Sequence, residues 1–284
     1  MNPDLEPLLQ RLVQAVEALA PRTEALTAPV GNARAWRYRT RPARFEPITR
    51  LSPLRMSDLR EVDTQRARFA RNLAQFAQGR SFNHVLLSGA RGTGKSSLVK
   101  AALNEWPALQ LVEIDRLDLP DLPEVLDALA SSPERFVVFC DDLSFEVGDA
   151  GYKSLKSALD GSVAAQAERT LIIATSNRRH LMPEHQRDNH ETSGRGGNGE
   201  IHPGEAVEEK ISLSERFGLW ISFYPFTQDE YLAIAAQWLR HFGVSEATIA
   251  AARQDSLVWA LERGSRSGRV AQQFARDFAG RAGG

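Results

Sequence analysis

Gly89-Ala90-Arg91-Gly92-Thr93-Gly94-Lys95-Ser96-Ser97 is the stretch from which the rest of this chain is read. It fits G-x-x-x-x-G-K-[ST], the spelling of a loop that cradles phosphates. Glycine has no Cβ, so the backbone can curl until its N–H groups face an anion. Lys95 is long enough to meet the outer phosphates, and the Ser96 hydroxyl is a hard oxygen suited to Mg2+. A helix leaving the loop adds its positive N-terminal end. The flanks supply the required elements. His84-Val85-Leu86-Leu87-Ser88 predicts a short buried strand entering the loop. Ser97 to Glu105, with Leu98, Val99, Ala102 and Leu103, predicts the helix leaving it, stopped by Trp106-Pro107. The whole stretch from Gly89 to Ser97 is therefore expected to hold a polyphosphate.

Working outward, the chain has 284 residues, room for one large domain or two modest ones. Charged residues make up 25% and hydrophobic ones 42%, the balance of an ordinary globular protein. No apolar run approaches a membrane span. Leu5, Leu8, Leu9, Leu12, Val13 and Val16 follow helical spacing rather than a basic-then-apolar leader. Cys140 is the one cysteine, so no intramolecular disulfide is possible, and a reducing cytoplasm is the expected location. It precedes Asp141 on an apolar strand, which predicts a packed thiol rather than a reactive one. A net charge of −1 argues against whole-surface attraction to nucleic acid.

Residues 1–56 are expected to form an amphipathic helix over 3–20 and then an irregular basic arm, punctuated by Pro21, Pro29, Pro42, Pro47 and Pro53. Asp58 to Gln78 predicts a helix ending at Gly79. Beyond the phosphate loop, Leu111–Asp115, Phe136–Cys140, Leu171–Thr175 and Leu219–Phe223 are apolar, β-rich runs, as strands covered on both faces must be. Helical stretches alternate with most of them. The expected fold is α/β: a parallel five-stranded sheet wrapped by helices over residues 57–225. Residues 183–210, with five glycines among polar neighbours, read as a long mobile surface loop. From Thr227 on the strand signal vanishes. Thr227-Gln228-Asp229-Glu230 is a capping box opening a helix to about His241, and helices over roughly 245–263 and 267–280 complete a small all-helical domain over 226–284.

Two further strand tips carry chemistry. Phe136 to Cys140 ends in Asp141-Asp142, and a strand of this kind supplies the acid that holds the Mg2+ shell in phosphoryl-transfer proteins. Asp141 takes that role. Asp142 is placed to polarise the attacking water or to cap the next helix; Glu146 is a weaker candidate for the base. Leu171 to Thr175 leads to Ser176-Asn177, whose amide either orients water against the γ-phosphate or simply forms a turn. Arg178 and Arg179 could serve the same site, a neighbouring subunit or solvent.

A phosphate loop, a strand ending in two acids, a strand ending in Asn and an α-helical C-terminal unit together resemble the AAA+ ATPases. Phe139-Cys140-Asp141-Asp142-Leu143-Ser144-Phe145-Glu146, Thr175-Ser176-Asn177-Arg178-Arg179-His180-Leu181 and Ser214-Glu215-Arg216-Phe217-Gly218-Leu219-Trp220 resemble a prokaryotic AAA+ family filed as a domain of unknown function. The likeness runs from about residue 56 to 282. It implies an ATP- and Mg2+-dependent enzyme: residues 89–96 as Walker A, Asp141 and Asp142 as Walker B, Asn177 as sensor 1. It also implies Arg216 as a finger acting across a subunit boundary and Arg269, in Ser267-Gly268-Arg269-Val270, as sensor 2. A fixed guanidinium there neutralises charge that builds up during transfer. Lys95, Asp141, Asp142, Asn177 and Arg216 would carry catalysis, Ser96 and Asp141 would hold the metal, and the chain would form nucleotide-dependent homo-oligomers that remodel a protein partner; the alternatives are a nucleotide-gated binding switch that hydrolyses little and a DNA-associated initiator or loader ATPase. Two positions depart from the pattern. Asp142 stands where most AAA+ ATPases have Glu, one methylene longer. Glu61, within Leu59–Val62, stands where a glycine near the adenine is common.

Arginines 34, 37, 39, 41, 44, 50 and 55 lie among Trp36, Tyr38 and Phe45. Such interleaving grips single-stranded nucleic acid, packs an arm on a neighbour or makes a solvated linker; the overall charge does not favour nucleic acid. His180, His185, His190 and His202 lack metal-ligand spacing, and contact with a partner is the better expectation for their loop.

Overall fold

Successive side chains of a strand point to opposite faces, so a continuously apolar run must be covered on both sides. The computed structural model, which describes residues 25–145, 149–160, 169–178 and 213–282, has this arrangement. Its strands are β1 (Ala35–Thr40), β2 (Ala43–Pro47), β3 (Val85–Gly89), β4 (Leu109–Ile114), β5 (Arg135–Cys140), β6 (Thr170–Ser176) and β7 (Leu219–Phe223). They form one seven-stranded sheet in the order β2-β1-β4-β5-β6-β3-β7. Every neighbouring pair is parallel except the β1–β2 hairpin. Val85, Leu87, Val137, Phe139, Leu171 and Ile173 enter one core, while Leu86, Phe136, Val138, Cys140, Ile172 and Ala174 enter the other. Helices α1 (Asp63–Ala77) and α2 (Lys95–Glu105) belong to the first core; α3 (Leu122–Ala130) and α4 (Ala150–Asp160) belong to the second.

The sheet has seven strands, not five, and the arm over residues 21–56 is not irregular throughout. Residues 35–47 alternate at period two around a turn at Arg41-Pro42. Trp36 and Tyr38 are buried, while Arg37 pairs with Glu113 (2.8 Å) and Arg39 with Glu46 (3.3 Å). Arg34 donates to the carbonyls of Leu103 and Trp106, where α2 has run out of its own N–H partners. Prolines at a turn and a strand end, and arginines on the outer face, hide the alternation. The helix expected over 58–78 is also interrupted. A short 3-10 turn covers Met56–Asp58 and α1 starts at Asp63, because Glu61 takes a left-handed φ of 61°.

The C-terminal residues form α5 (Gln228–His241), α6 (Glu246–Ala251), α7 (Arg253–Glu262) and α8 (Gly268–Ala282), so the helix expected over 245–263 is two. The capping box at α5 forms: the Thr227 hydroxyl accepts the Glu230 N–H at 3.3 Å, and the Glu230 carboxylate accepts the Thr227 N–H at 2.7 Å. Tyr231, Ala235 and Leu239 lie four apart on one face of α5 and share a core with Ala271, Phe274 and Ala275 of α8. The expectations for residues 3–20 and 183–210 lie outside the described residues. Among the described residues no helix is long and apolar enough to cross a membrane.

Candidate functional site

All the parallel strands point their carboxyl ends to one edge, where α/β sheets bind ligands. At that edge Gly89 leaves β3 with φ 122°, and a Cβ there would lie 1.9 Å from the Phe223 carbonyl oxygen. Only glycine lets the loop press so closely on β7. The Ala90 N–H donates to that same oxygen at 3.0 Å, and the Thr93 hydroxyl donates to the Ala90 carbonyl at 2.8 Å. Gly94, with φ 99°, turns the chain into α2. At the loop's far side the Gly92 carbonyl accepts the Gly268 N–H from the start of α8 at 2.8 Å. The loop is thus fixed between β7 and α8.

Lys95 is 6% exposed, and its ammonium donates to the carbonyls of Gly89 (2.9 Å) and Ala90 (2.7 Å) and to Asn177 Oδ1 (3.0 Å). These three acceptors match its three protons. Burial drives its pKa down from 10.5 to about 8; Asp142 and Asp141 oppose the fall and Arg91 adds to it. A depressed lysine pKa has a definite sign. Between pH 8 and 10.5 the unfolded chain binds more protons than the folded one, so this group's contribution to stability rises with pH there. A polyphosphate held by this ammonium would lose affinity over the same range, since the neutral amine carries no charge for it. We expect nucleotide affinity to weaken by up to about tenfold per pH unit above pH 8, a slope that Lys95→Arg abolishes. Titration calorimetry from pH 7 to 9.5 measures it, and a flat profile for the native chain contradicts it.

The β5 and β6 tips meet beside the loop because β6 lies between β5 and β3. Asp141 Oδ1 accepts from the hydroxyls of Ser96 (2.5 Å) and Thr175 (2.6 Å). Asp142, with φ 52°, donates its N–H to Thr175 Oγ1 at 2.8 Å. The Asn177 amide donates to Asp142 Oδ1, so Asn177 links Asp142 to Lys95. These groups line a cleft of about 540 Å³, within the range of small-molecule sites. Arg91, Gly92, Thr93, Gly94, Lys95, Ser96 and Ser97 form one wall, Asp141, Asp142, Thr175 and Asn177 another. Leu54, Leu59, Val62, Phe226, Ile234 and Trp238 make the apolar end, and Arg269 and Gln272 enter from α8.

Three residues predicted for the site are not among this lining. Gly89 and Ala90 anchor the loop from behind, and the Ala90 amide is committed to Phe223. Arg216 lies elsewhere, in an ion pair with Asp160 at the end of α4. Glu146, Arg179 and the four loop histidines fall outside the described residues. Sequence reading missed Thr175, although its place on an apolar strand two residues before Asn177 was a usable signal. It also missed the Gly92–Gly268 contact, which local spelling cannot show. The residues fit Mg2+: Ser96 and Asp141 present hard oxygens 2.5 Å apart beside the loop. No group of three or more His, Cys, Asp or Glu among the described residues could hold a metal. Phosphate oxygens would have to complete the shell, as is usual for this ion.

A family model described as Protein of unknown function (DUF815) matches residues 31–282. The chain belongs to the DUF815 family. The match starts ahead of residue 56 and takes in the β1–β2 hairpin, so that hairpin is part of the DUF815 unit. The search of curated proteins finds no match. Among solved structures, this DUF815 chain is similar to the Thermotoga maritima RuvB Holliday junction branch migration motor, at 18% identity and TM-score 0.45, over 77% of this chain and 61% of that one. It is also similar to a T. maritima RuvB mutant at 19% identity and TM-score 0.48, over 80% of this chain and 65% of that one. The chain spans less than two thirds of the length of these proteins.

Proposed function

We propose that this DUF815 chain is an AAA+ ATPase that binds ATP with Mg2+ in the 540 Å³ cleft and hydrolyses it slowly. One observation carries the reading: the Lys95–Asn177–Asp142 chain and the Ser96–Asp141 pair join the loop to the two strand tips within one cleft. A buried ammonium, an amide and two carboxylates beside a glycine loop suit phosphoryl transfer, in which catalysis is positioning and charge neutralisation. In this reading the loop amides of Arg91 to Ser97 and Lys95 hold phosphates, and the apolar end holds the base. Ser96 and Asp141 would hold Mg2+, which when bound would neutralise charge on the phosphates. Asp142 accepts a proton from the attacking water and Asn177 orients both. Turnover is slow because aspartate is shorter than glutamate, and a misplacement of about 1 Å costs on the order of a hundredfold.

The sheet with its β1–β2 hairpin, up to residue 225, acts as the nucleotide core in this proposal, and residues 226–284 act as a lid carrying Arg269 into the cleft. Arg216 completes the site of a neighbouring copy, which requires a head-to-tail homo-oligomer, and ATP turnover rotates the lid to remodel a protein partner. Arg34, Arg37, Arg39 and Arg44 already have intramolecular partners, which supports a protein rather than a nucleic-acid partner. The test is the mass of the purified chain with and without ATP–Mg2+, with turnover read on the same sample. We expect larger assemblies with ATP, and we expect Arg216→Ala to form them while turning over at least about a hundredfold more slowly. Full turnover by a monomer would end the proposed trans role of Arg216.

A further inference from the structure

Strand pairing between β5 and β6 ends at Cys140 and Ala174. Beyond it, one backbone bond and side-chain hydroxyls continue the stitching. Ser176 Oγ donates to the Leu143 carbonyl at 2.8 Å, and the Leu143 N–H donates to the Thr175 carbonyl at 2.7 Å. Thr175 stands at the centre. It is 1% exposed, gives its one proton to Asp141 Oδ1 at 2.6 Å and accepts the Asp142 N–H at 2.8 Å. One hydroxyl therefore touches both Asp141 and Asp142.

We infer that Thr175 is a positioning residue that sets both carboxylates at once: Asp141 toward the Mg2+ ligand Ser96, and Asp142 toward Asn177. The inference rests on the reading of the cleft as a Mg2+–nucleotide site. Asp142 has φ 52°, in the left-handed region, which aspartate tolerates but does not prefer. The hydrogen bond from its N–H to Thr175 is made in that conformation, which directs the Asp142 carboxylate to the Asn177 amide. Asp141 Oδ1 is held by two donors, Ser96 and Thr175. When Ser96 turns a lone pair to a metal, Thr175 still holds the carboxylate in register. Outer partners of this kind commonly govern metal affinity by about 10- to 100-fold.

Valine keeps the branched shape of threonine but has no hydroxyl, and serine keeps the hydroxyl. The experiment titrates Mg2+ into each variant in the presence of a fluorescent ATP analogue, and separately titrates the analogue in EDTA. We expect Thr175→Val to weaken Mg2+ binding at least about tenfold while changing Mg2+-free nucleotide affinity less than about twofold. Thr175→Ser should recover most of the loss. Thr175→Ala removes the same hydroxyl and gives the same reading should the valine form not fold. An unchanged Mg2+ titration in Thr175→Val or Thr175→Ala overturns the inference and leaves the nucleotide site standing. Parallel weakening with and without Mg2+ also overturns it, because that reports general loosening. A native chain that binds the analogue no better than Lys95→Ala overturns the nucleotide reading itself, and the inference with it.

Discussion

Replacing Lys95 by alanine is expected to lower ATP affinity at least about a hundredfold and to bring turnover to background. Among the described residues the ammonium is the one group that meets the loop carbonyls and Asn177 together. Hydrogen bonds from a charged donor are worth roughly twice neutral ones, and a preorganised donor in a closed site is worth about 10²–10³ in rate. Removal also leaves the carbonyls of Gly89 and Ala90 without their cation, so part of the effect is a looser loop. Equilibrium binding of a fluorescent analogue, together with phosphate release, measures both. Native turnover in Lys95→Ala would show that the cleft is not where ATP is hydrolysed.

Gly89→Ala is the substitution expected to cost most stability, roughly 3–5 kcal/mol, with loss of nucleotide binding. Two effects add. The residue has φ 122°, a region L-residues avoid, and the new Cβ would lie 1.9 Å from backbone oxygen, which cannot rotate away. Relief requires β3 and β7 to part, and they are paired from Val85 to Gly89. Gly243→Ala is the matched control: its φ is 82°, but nothing lies within 4 Å of the new Cβ, so strain acts alone at about 1–2 kcal/mol. Urea denaturation of both variants separates strain from collision. Equal destabilisation of the two would contradict the collision with Phe223.

The loop and its flanks were legible because their signals are short-range. Glycines at 89, 92 and 94 all have positive φ, as a curled loop requires. The apolar runs became strands with boundaries moved by a residue or two, since a run buried on both faces is its own signature. Arg269 was suggested by the resemblance rather than by its own spelling; in the structure it is part of the cleft lining. The hairpin over 35–47 was harder to see. Its outward arginines find acids at Glu46 and Glu113, and a partner 76 positions away, as Glu113 is from Arg37, leaves no local mark. Arg216 shows the same limit, since its partner Asp160 lies on another element.

Residues that choose their backbone from their own covalent structure were readable one by one: glycines at left-handed turns, Thr227 at a helix start, β-branched runs as strands. What the string could not state is who stands next to whom. That β6 lies between β3 and β5 is decided by packing across the sheet, through contacts between residues far apart in the chain, and those contacts gain their free energy only once the cores close. That adjacency brings Thr175 and Asn177 to Asp141, Asp142 and Lys95. The chemistry was spelled locally, and its assembly into one cleft belongs to the tertiary structure.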